Sequence, residues 1–401
     1  MRVGLFTDIY LPTVYGTELA TERVRVTLEA MGHKVFVFAP ETPGYLDASP
    51  RVLRFRSQRI SRNPESRLAF SFLPIGRSYR EVMDFRLDIA QAQTMGAMGM
   101  LARRIALHQG IPLLYAHHSM YPGYVGSESG DDLLVPSLVR SYTKWFAGRS
   151  DAILAPTVKV KRLFAEWGLD ADIPIHVVPT GVDTTKFRRS ASVRRRLRRT
   201  LGIAESATVL LTVSRLVREK NLDFLLEAFR RIARGAPGSR LLLVGEGNYR
   251  DSLEKRARKL GIASRTGFAG LVPHGEVAAY YQAADLFVFP SVVESQGLVI
   301  LEALASGLPV VALKDEAYER FVVDGRSGVL VEPQSPARFA QRALPLVRDR
   351  ALRQKASRWA VRTSREYTLE KTAGMLVEVY RATIRELRAR RRRKRAEGAA
   401  R

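Results

Sequence analysis

Cysteine is absent from the chain. Its absence excludes disulfides, thiolate nucleophiles and cysteine-ligated zinc together, and it fits a reducing compartment. Acids are scarce, 40 against 65 Lys and Arg, which leaves a net charge of +25. No stretch approaches the roughly 18 uncharged apolar residues of a membrane span. Residues 1–15 include Asp8, Tyr10, Pro12 and Tyr15 and lack a basic start followed by an apolar core, so no signal peptide is expected. Any membrane contact is therefore expected to be peripheral. A convincing Asp-x-Asp metal motif is also missing. The nearest approach, "GDD" at 130–132, follows a polar Ser/Gly stretch and reads as a loop.

The basic surplus is concentrated in "RRRLRRTLGI" (194–203) and "RARRRRKR" (388–395). The plain reading of such runs is solvated helix faces. The other reading is a polyanion surface, nucleic acid or anionic bilayer. The runs hold no aromatic residue and no nucleic-acid reader motif occurs, so no specific nucleic acid is expected and the bilayer is favoured.

At 401 residues and 46% hydrophobic, the chain can form two or three domains with real cores. "MRVGLF" reads as a strand and "TDIYLPTVYGT" as a loop. "ELATERVRVTLEAMG" has helical spacing of Leu19, Val24, Leu28 and Met31 and closes at Gly32, and "KVFVFAP" is the next strand. That βαβ start predicts a doubly wound parallel sheet. The strands "GIPLLYAHH", "DAILAPT" and "IHVVPTG" continue it. The pattern restarts at "ATVLLTVSRL", followed by the helix "LDFLLEAFRRIAR", the strand "SRLLLVGEG", the helix "YRDSLEKRARKLG" and the strands "ADLFVFPS" and "LPVVAL". Two Rossmann-like halves joined near 180–206 are expected, with a ligand cleft at the C-terminal ends of their strands.

"ESQGLVILEALASGLPVVA" (294–312) sets Glu294 and Glu302 eight residues apart in an apolar context, where a carboxylate needs a partner. A helix beginning near Gly297 would offer its N–H groups and dipole to a diphosphate. The plainer alternative makes Glu294 a helix-capping acid and Glu302 a partly exposed helix residue. "SRLVREKN" supplies Arg215 and Lys220 between a strand and a helix, where fixed cations could stabilise a leaving diphosphate or be ordinary surface charges.

Together these stretches resemble the retaining glycosyltransferases of family 4, with the GT-B fold, over almost the whole chain. The resemblance implies two Rossmann-like domains facing across a cleft, 1–182 on the acceptor side and 183–364 for the nucleotide sugar. It also implies a helix at 365–387 crossing back to the N-terminal domain, and a basic tail at 388–401. It assigns Arg215 and Lys220 to the diphosphate, Gly297 and Leu298 to the helix start beneath it, Glu294 to a sugar hydroxyl and Glu302 to the ribose. Gly16, in "PTVYGTELA", stands in the phosphate-approaching loop, with Tyr15-Gly16 in place of the usual Gly-Gly or Asn-Gly. In "AHHSMYPGY", alignment on Met120 and Tyr121 makes His118 the active-site histidine, with Ser119 in place of Thr and His117 as competitor. Gly270, Leu271 and Val272 would pack against the nucleobase. No metal and no cofactor beyond the donor substrate are implied.

"FTDIYLPTVYG", "HHSMY" and "ESQGLVILEA" look most like the glycolipid-forming branch, which glycosylates diacylglycerol or a related lipid. The expectation is hexose transfer from a nucleotide sugar, UDP-glucose favoured, to a lipid acceptor, by a cytoplasmic protein docked on the anionic inner face of the membrane. "RLAFSFLPIG" (67–76) could face that membrane or be a buried strand pair. The alternatives are a soluble family-4 enzyme using GDP-mannose or another donor on a sugar or polysaccharide, and a basic nucleic-acid-binding protein on an inactive scaffold. Oligomeric state is not legible.

Overall fold

The computed structural model describes residues 1–12, 16–59, 67–69, 82–118 and 136–399. The chain divides into two compact units. One takes the described residues up to Gly181 together with those from Leu369 onward, and the other takes Val182–Thr368.

The first unit is built on β1 (Arg2–Phe6), β2 (Lys34–Pro40), β3 (Val52–Phe55), β6 (Ile89–Ala92), β7 (Leu113–Ala116), β8 (Ala152–Ala155) and β9 (Ile175–Val177), in the order β3-β2-β1-β6-β7-β8-β9. Every pairing is parallel. The central strands are buried along their length, which is why they read as apolar runs without alternation. One face packs against the helix Ala97–Gln109 through Met98, Leu101 and Ile105. The other is covered by the helix Gly16–Ala30 and by the long C-terminal helix Leu369–Ala399. A short hairpin pairs β4 (Ser57–Arg59) with β5 (Arg67–Ala69) antiparallel. Of the "RLAFSFLPIG" stretch only these first three residues lie within the described set.

The second unit repeats the plan with β10 (Thr208–Val213), β11 (Ser239–Val244), β12 (Thr266–Phe268), β13 (Leu286–Phe289), β14 (Val310–Leu313) and β15 (Gly328–Val331), in the order β12-β11-β10-β13-β14-β15. Strand order reverses between β1 and β6 in one sheet and between β10 and β13 in the other. The loops after those four strands are where such a sheet leaves a crevice.

Two expectations are corrected. The C-terminal helix does not stop at 387 but runs to Ala399, so the basic segment is helical, and 388–393 and 395–397 are exposed. Its buried stripe is Ala373, Leu376, Val377 and Tyr380, while Met375 faces out. The 194–203 run is only partly a solvated face. Arg198 is fully buried, donating to the carbonyls of Ala283, Ala204, Glu205 and Ala207 and to Asp285 Oδ2 at 2.6 Å, and Arg194 holds the other carboxylate oxygen at 2.9 Å. Two of its arginines therefore tie the helix Ala191–Thr200 to the start of β13.

Candidate active site

In the second unit the site grows from the β10/β13 reversal. β10 ends at Val213, and the chain turns through Ser214 and Arg215 into a single 3₁₀ turn, Arg218–Lys220. Asn221 then takes φ = 56°, an unfavourable left-handed conformation for a residue with a side chain. Its carboxamide donates to the Pro290 carbonyl at 3.2 Å, which ties the end of β10 to the end of β13. Lys220 is buried, and its Nζ donates to Glu294 Oε1 at 2.7 Å. The Ser291 hydroxyl donates to the same oxygen at 2.7 Å. Arg215, more exposed, pairs with Glu219 at 2.8 Å. Arg215, Lys220 and Glu294 thus stand on the two loops that flank one switch point.

Glu294 stands three residues before the N-cap of the following helix. That helix, Leu298–Ala305, has Gly297 at its N-cap with φ = 74°, a cap residue that itself makes no side-chain hydrogen bond. Gly297 accepts the left-handed geometry at no steric cost and puts no side chain of its own over the helix start. Glu302, more than one turn in, is buried rather than partly exposed, and the Tyr281 hydroxyl donates to its Oε2 at 3.0 Å. This answers what the two acids need in an apolar stretch: one is held by a lysine and a serine, the other by a tyrosine. Tyr318, buried behind Gly297, has its single hydroxyl proton shared between the carbonyls of Ser291 and Leu313, both within hydrogen-bond distance. Burial, then the charges of Asp315 and Glu294, raise its hydroxyl far above the ordinary tyrosine range.

The proposed base-binding turn lies at the end of β12. Gly270 has φ = 73°, and its carbonyl accepts from the N–H of Gly245 at 2.9 Å. Leu271 is largely exposed and Val272 partly so. Gly245 and Gly247 were not singled out from the sequence. A Cβ on Gly245 would sit 1.9 Å from the Ser214 carbonyl oxygen, and one on Gly247 2.2 Å from that of Leu216. The signal was the G-x-G immediately after a predicted strand. Ser291, Asn221, Tyr281 and Tyr318 carried no local signal, because their roles depend on partners 3 to 69 residues away.

In the first unit the two histidines separate cleanly. His117 is buried, its Nδ1 2.9 Å from the Tyr115 hydroxyl and its ring edge-on to Phe164. His118, half-buried at the end of β7, donates from Nε2 to Gln93 Oε1 at 2.6 Å across the end of β6. Burial lowers its imidazole to about 4, so it is neutral near pH 7. Both line a cavity of about 40 Å³ with Gln91, Gln93, Arg23 and Thr372. That is room for a few waters, not for a hexose. Gly16 opens the helix Gly16–Ala30, is exposed, and has nothing within 4 Å of where a Cβ would stand. Ser119, Met120, Tyr121 and "GDD" lie outside the described residues. Among the described residues no three His, Asp or Glu side chains gather as metal ligands.

Residues 193–362 match the model of the glycosyl transferases group 1, and residues 14–186 that of Glycosyltransferase Family 4. The chain is 31% identical, over 82% of its length and 75% of the relative's, to the alpha-monoglucosyldiacylglycerol synthase of Streptococcus pneumoniae. It is 28% identical, over 87% of its length and 90% of the relative's, to a GDP-mannose-dependent alpha-(1-6)-phosphatidylinositol monomannoside mannosyltransferase of Mycobacterium tuberculosis. Among solved structures, Anabaena Alr3699/HepE in complex with UDP and glucose superposes with a TM-score of 0.74 over 94% of this chain and 98% of that one, at 21% identity.

Proposed function

From the premise that the chain belongs to the glycosyltransferase family 4, with the GT-B fold, we propose that it moves glucose from UDP-glucose to diacylglycerol or a closely related lipid. It does so with retention of configuration, without a metal, and while docked on the anionic inner face of the membrane. The observation that carries the reading is the set at the β10/β13 reversal: Lys220 against Glu294, Arg215 on the same loop as Lys220, and a helix that starts at Gly297. The glucolipid-forming relative favours the donor sugar and acceptor.

In this reading the diphosphate lies over the helix start, between Arg215 and Lys220. The acceptor hydroxyl approaches the anomeric carbon from the face that the diphosphate leaves. The new C–O bond forms as the bond to the β-phosphate oxygen breaks, and that oxygen takes the acceptor proton. Charge growing on the leaving group is met by cations fixed before reaction, which need no reorganisation. Glu294 and His118 hold the transferred sugar. A neutral His118, its Nε2 against Gln93 Oε1, suits hydrogen bonding rather than ion pairing. Glu302 accepts from the ribose hydroxyls.

The test is a donor screen with UDP- and GDP-sugars against diacylglycerol in mixed micelles, with the product anomer read by NMR. An α-glucolipid formed from UDP-glucose is the expected result. Turnover with GDP-mannose alone would overturn the donor assignment and favour the chemistry of the mannosyltransferase relative. A β-linked product would overturn retention.

A further inference from the structure

The helix Pro136–Ala147 carries two apolar stripes. Val139, Thr143 and Phe146 face the core. On the adjoining flank, about 100° round the helix, Leu138, Tyr142 and Trp145, also at helical spacing, are exposed at 61, 40 and 36%, the Tyr142 hydroxyl donating to the Met95 carbonyl at 2.8 Å. The Tyr142 and Trp145 rings stack at 5.6 Å. Arg149 lies over the Trp145 ring at 4.5 Å, and Arg103 of the helix Ala97–Gln109 reaches it from beside, at 6.0 Å. One turn beyond Arg103, Leu107 is 65% exposed. Gly110 ends that helix, and a Cβ there would fall 2.0 Å from a guanidinium nitrogen of Arg391. The basic end of the C-terminal helix, which covers the other face of the sheet, therefore reaches the carboxyl end of this helix, where a cation is favoured.

Exposed aromatics in a stacked pair, flanked by leucines, are not the surface of a simple solvated helix. Neither helix holds an acid, and between them they carry Arg103, Arg104, Arg140 and Lys144. The acid whose charge reaches Tyr142, Asp8, is turned inward onto Thr94 and the Met98 N–H. Amphipathic rings with interleaved arginines match the headgroup layer of a bilayer, where the ring sits at the acyl boundary and the guanidinium at phosphate. Nucleic acid would meet the arginines but leave Leu107 and Leu138 facing polar backbone.

We propose that this face, the outer sides of residues 97–109 and 136–149 with the Arg391 end of the C-terminal helix, is the docking surface for an anionic bilayer. It gives the membrane contact of the proposed function a location, and it rests on that reading only in its choice of a lipid partner. Docking here inserts Leu138 and Trp145 and places the arginines at lipid phosphate.

The test uses the full chain and vesicles of phosphatidylcholine with or without phosphatidylglycerol, holding neither diacylglycerol nor donor. Failure of the donor screen therefore leaves it standing, and its own failure leaves the enzymatic reading intact. The triple variant Leu138→Ser, Tyr142→Ser, Trp145→Ser should bind anionic vesicles at least about tenfold more weakly, with unchanged melting temperature and UDP-glucose hydrolysis. Brominated lipid should quench tryptophan fluorescence in the wild type and not in Trp145→Phe. Removal of 388–401 should weaken binding at low salt and matter less at high salt. Full-strength binding by the triple variant, or quenching that survives Trp145→Phe, would overturn the proposal. So would a wild-type dimer that the triple variant dissolves, because the face would then be a self-interface.

Discussion

Lys220 Nζ and Glu294 Oε1 lie 2.7 Å apart, each side chain mostly shielded from solvent, 74 residues apart in sequence. The group proposed for phosphate and the group proposed for sugar hydrogen-bond each other. The arrangement keeps two charges at the switch point without leaving either one buried and unpaired, which would cost several kcal/mol. A donor must share or replace this bond, so the two residues should fail together.

Glu294→Gln keeps the shape of the side chain and should leave the melting temperature nearly unchanged while lowering turnover about 10²-fold or more. Lys220→Ala should raise the donor KM as well as lower kcat. In the double variant the losses should be far from additive. Near-normal turnover in purified Glu294→Gln would remove Glu294 from the site.

His118→Ala should lose about 10²-fold or more in turnover, whereas His117→Ala, which removes a ring packed on Tyr115 and Phe164, should mainly lower stability. The reverse outcome would exchange their roles. Because burial holds His118 near 4 against 6.5 in the unfolded chain, the unfolded state binds a proton first as pH falls. Stability from this group is full above about 6.5 and drops toward pH 4, by at most about 1.4 kcal/mol per unit. Denaturant midpoints at pH 7.5, 6 and 5 should show the wild type falling more steeply than His118→Gln. Parallel curves would contradict the shift.

Turnover should survive excess EDTA, since the cations proposed for the diphosphate, Arg215 and Lys220, belong to the chain. Loss of activity with EDTA and its recovery on adding Mg²⁺ or Mn²⁺ would refute metal independence.

Arg198→Ala should cost about 3–5 kcal/mol, the range for removing one partner of a buried ion pair. It removes a donor from four carbonyls and leaves Arg194 and the Val209 N–H to hold Asp285. Arg195→Ala and Arg196→Ala, on the same helix, should change stability by less than about 0.5 kcal/mol. Urea unfolding of the three variants decides this, and equal midpoints would mean that the buried pair contributes little.

What the sequence determined by itself is local and periodic. The strands at "KVFVFAP" and "SRLLLV" were legible because strands buried on both faces read as unbroken apolar runs. The helix at Leu222–Gly235 was legible because its polar side meets water. Glu294, Glu302, Arg215 and Lys220 stood out because their spacing to neighbouring strands and glycines is itself a sequence pattern. What only the tertiary structure decided is which of several equivalent side chains is turned inward. Arg198 is buried and Arg194 partly so, while Arg195, Arg196 and Arg199 beside them are solvated. Leu376 faces the sheet and Met375 does not. The helix Pro136–Ala147 offers two apolar stripes, and only packing on Val139 and Phe146 leaves Tyr142 and Trp145 outside. Periodicity specifies that a face exists. Which face is covered depends on the element brought against it, and that partner is distant in the chain.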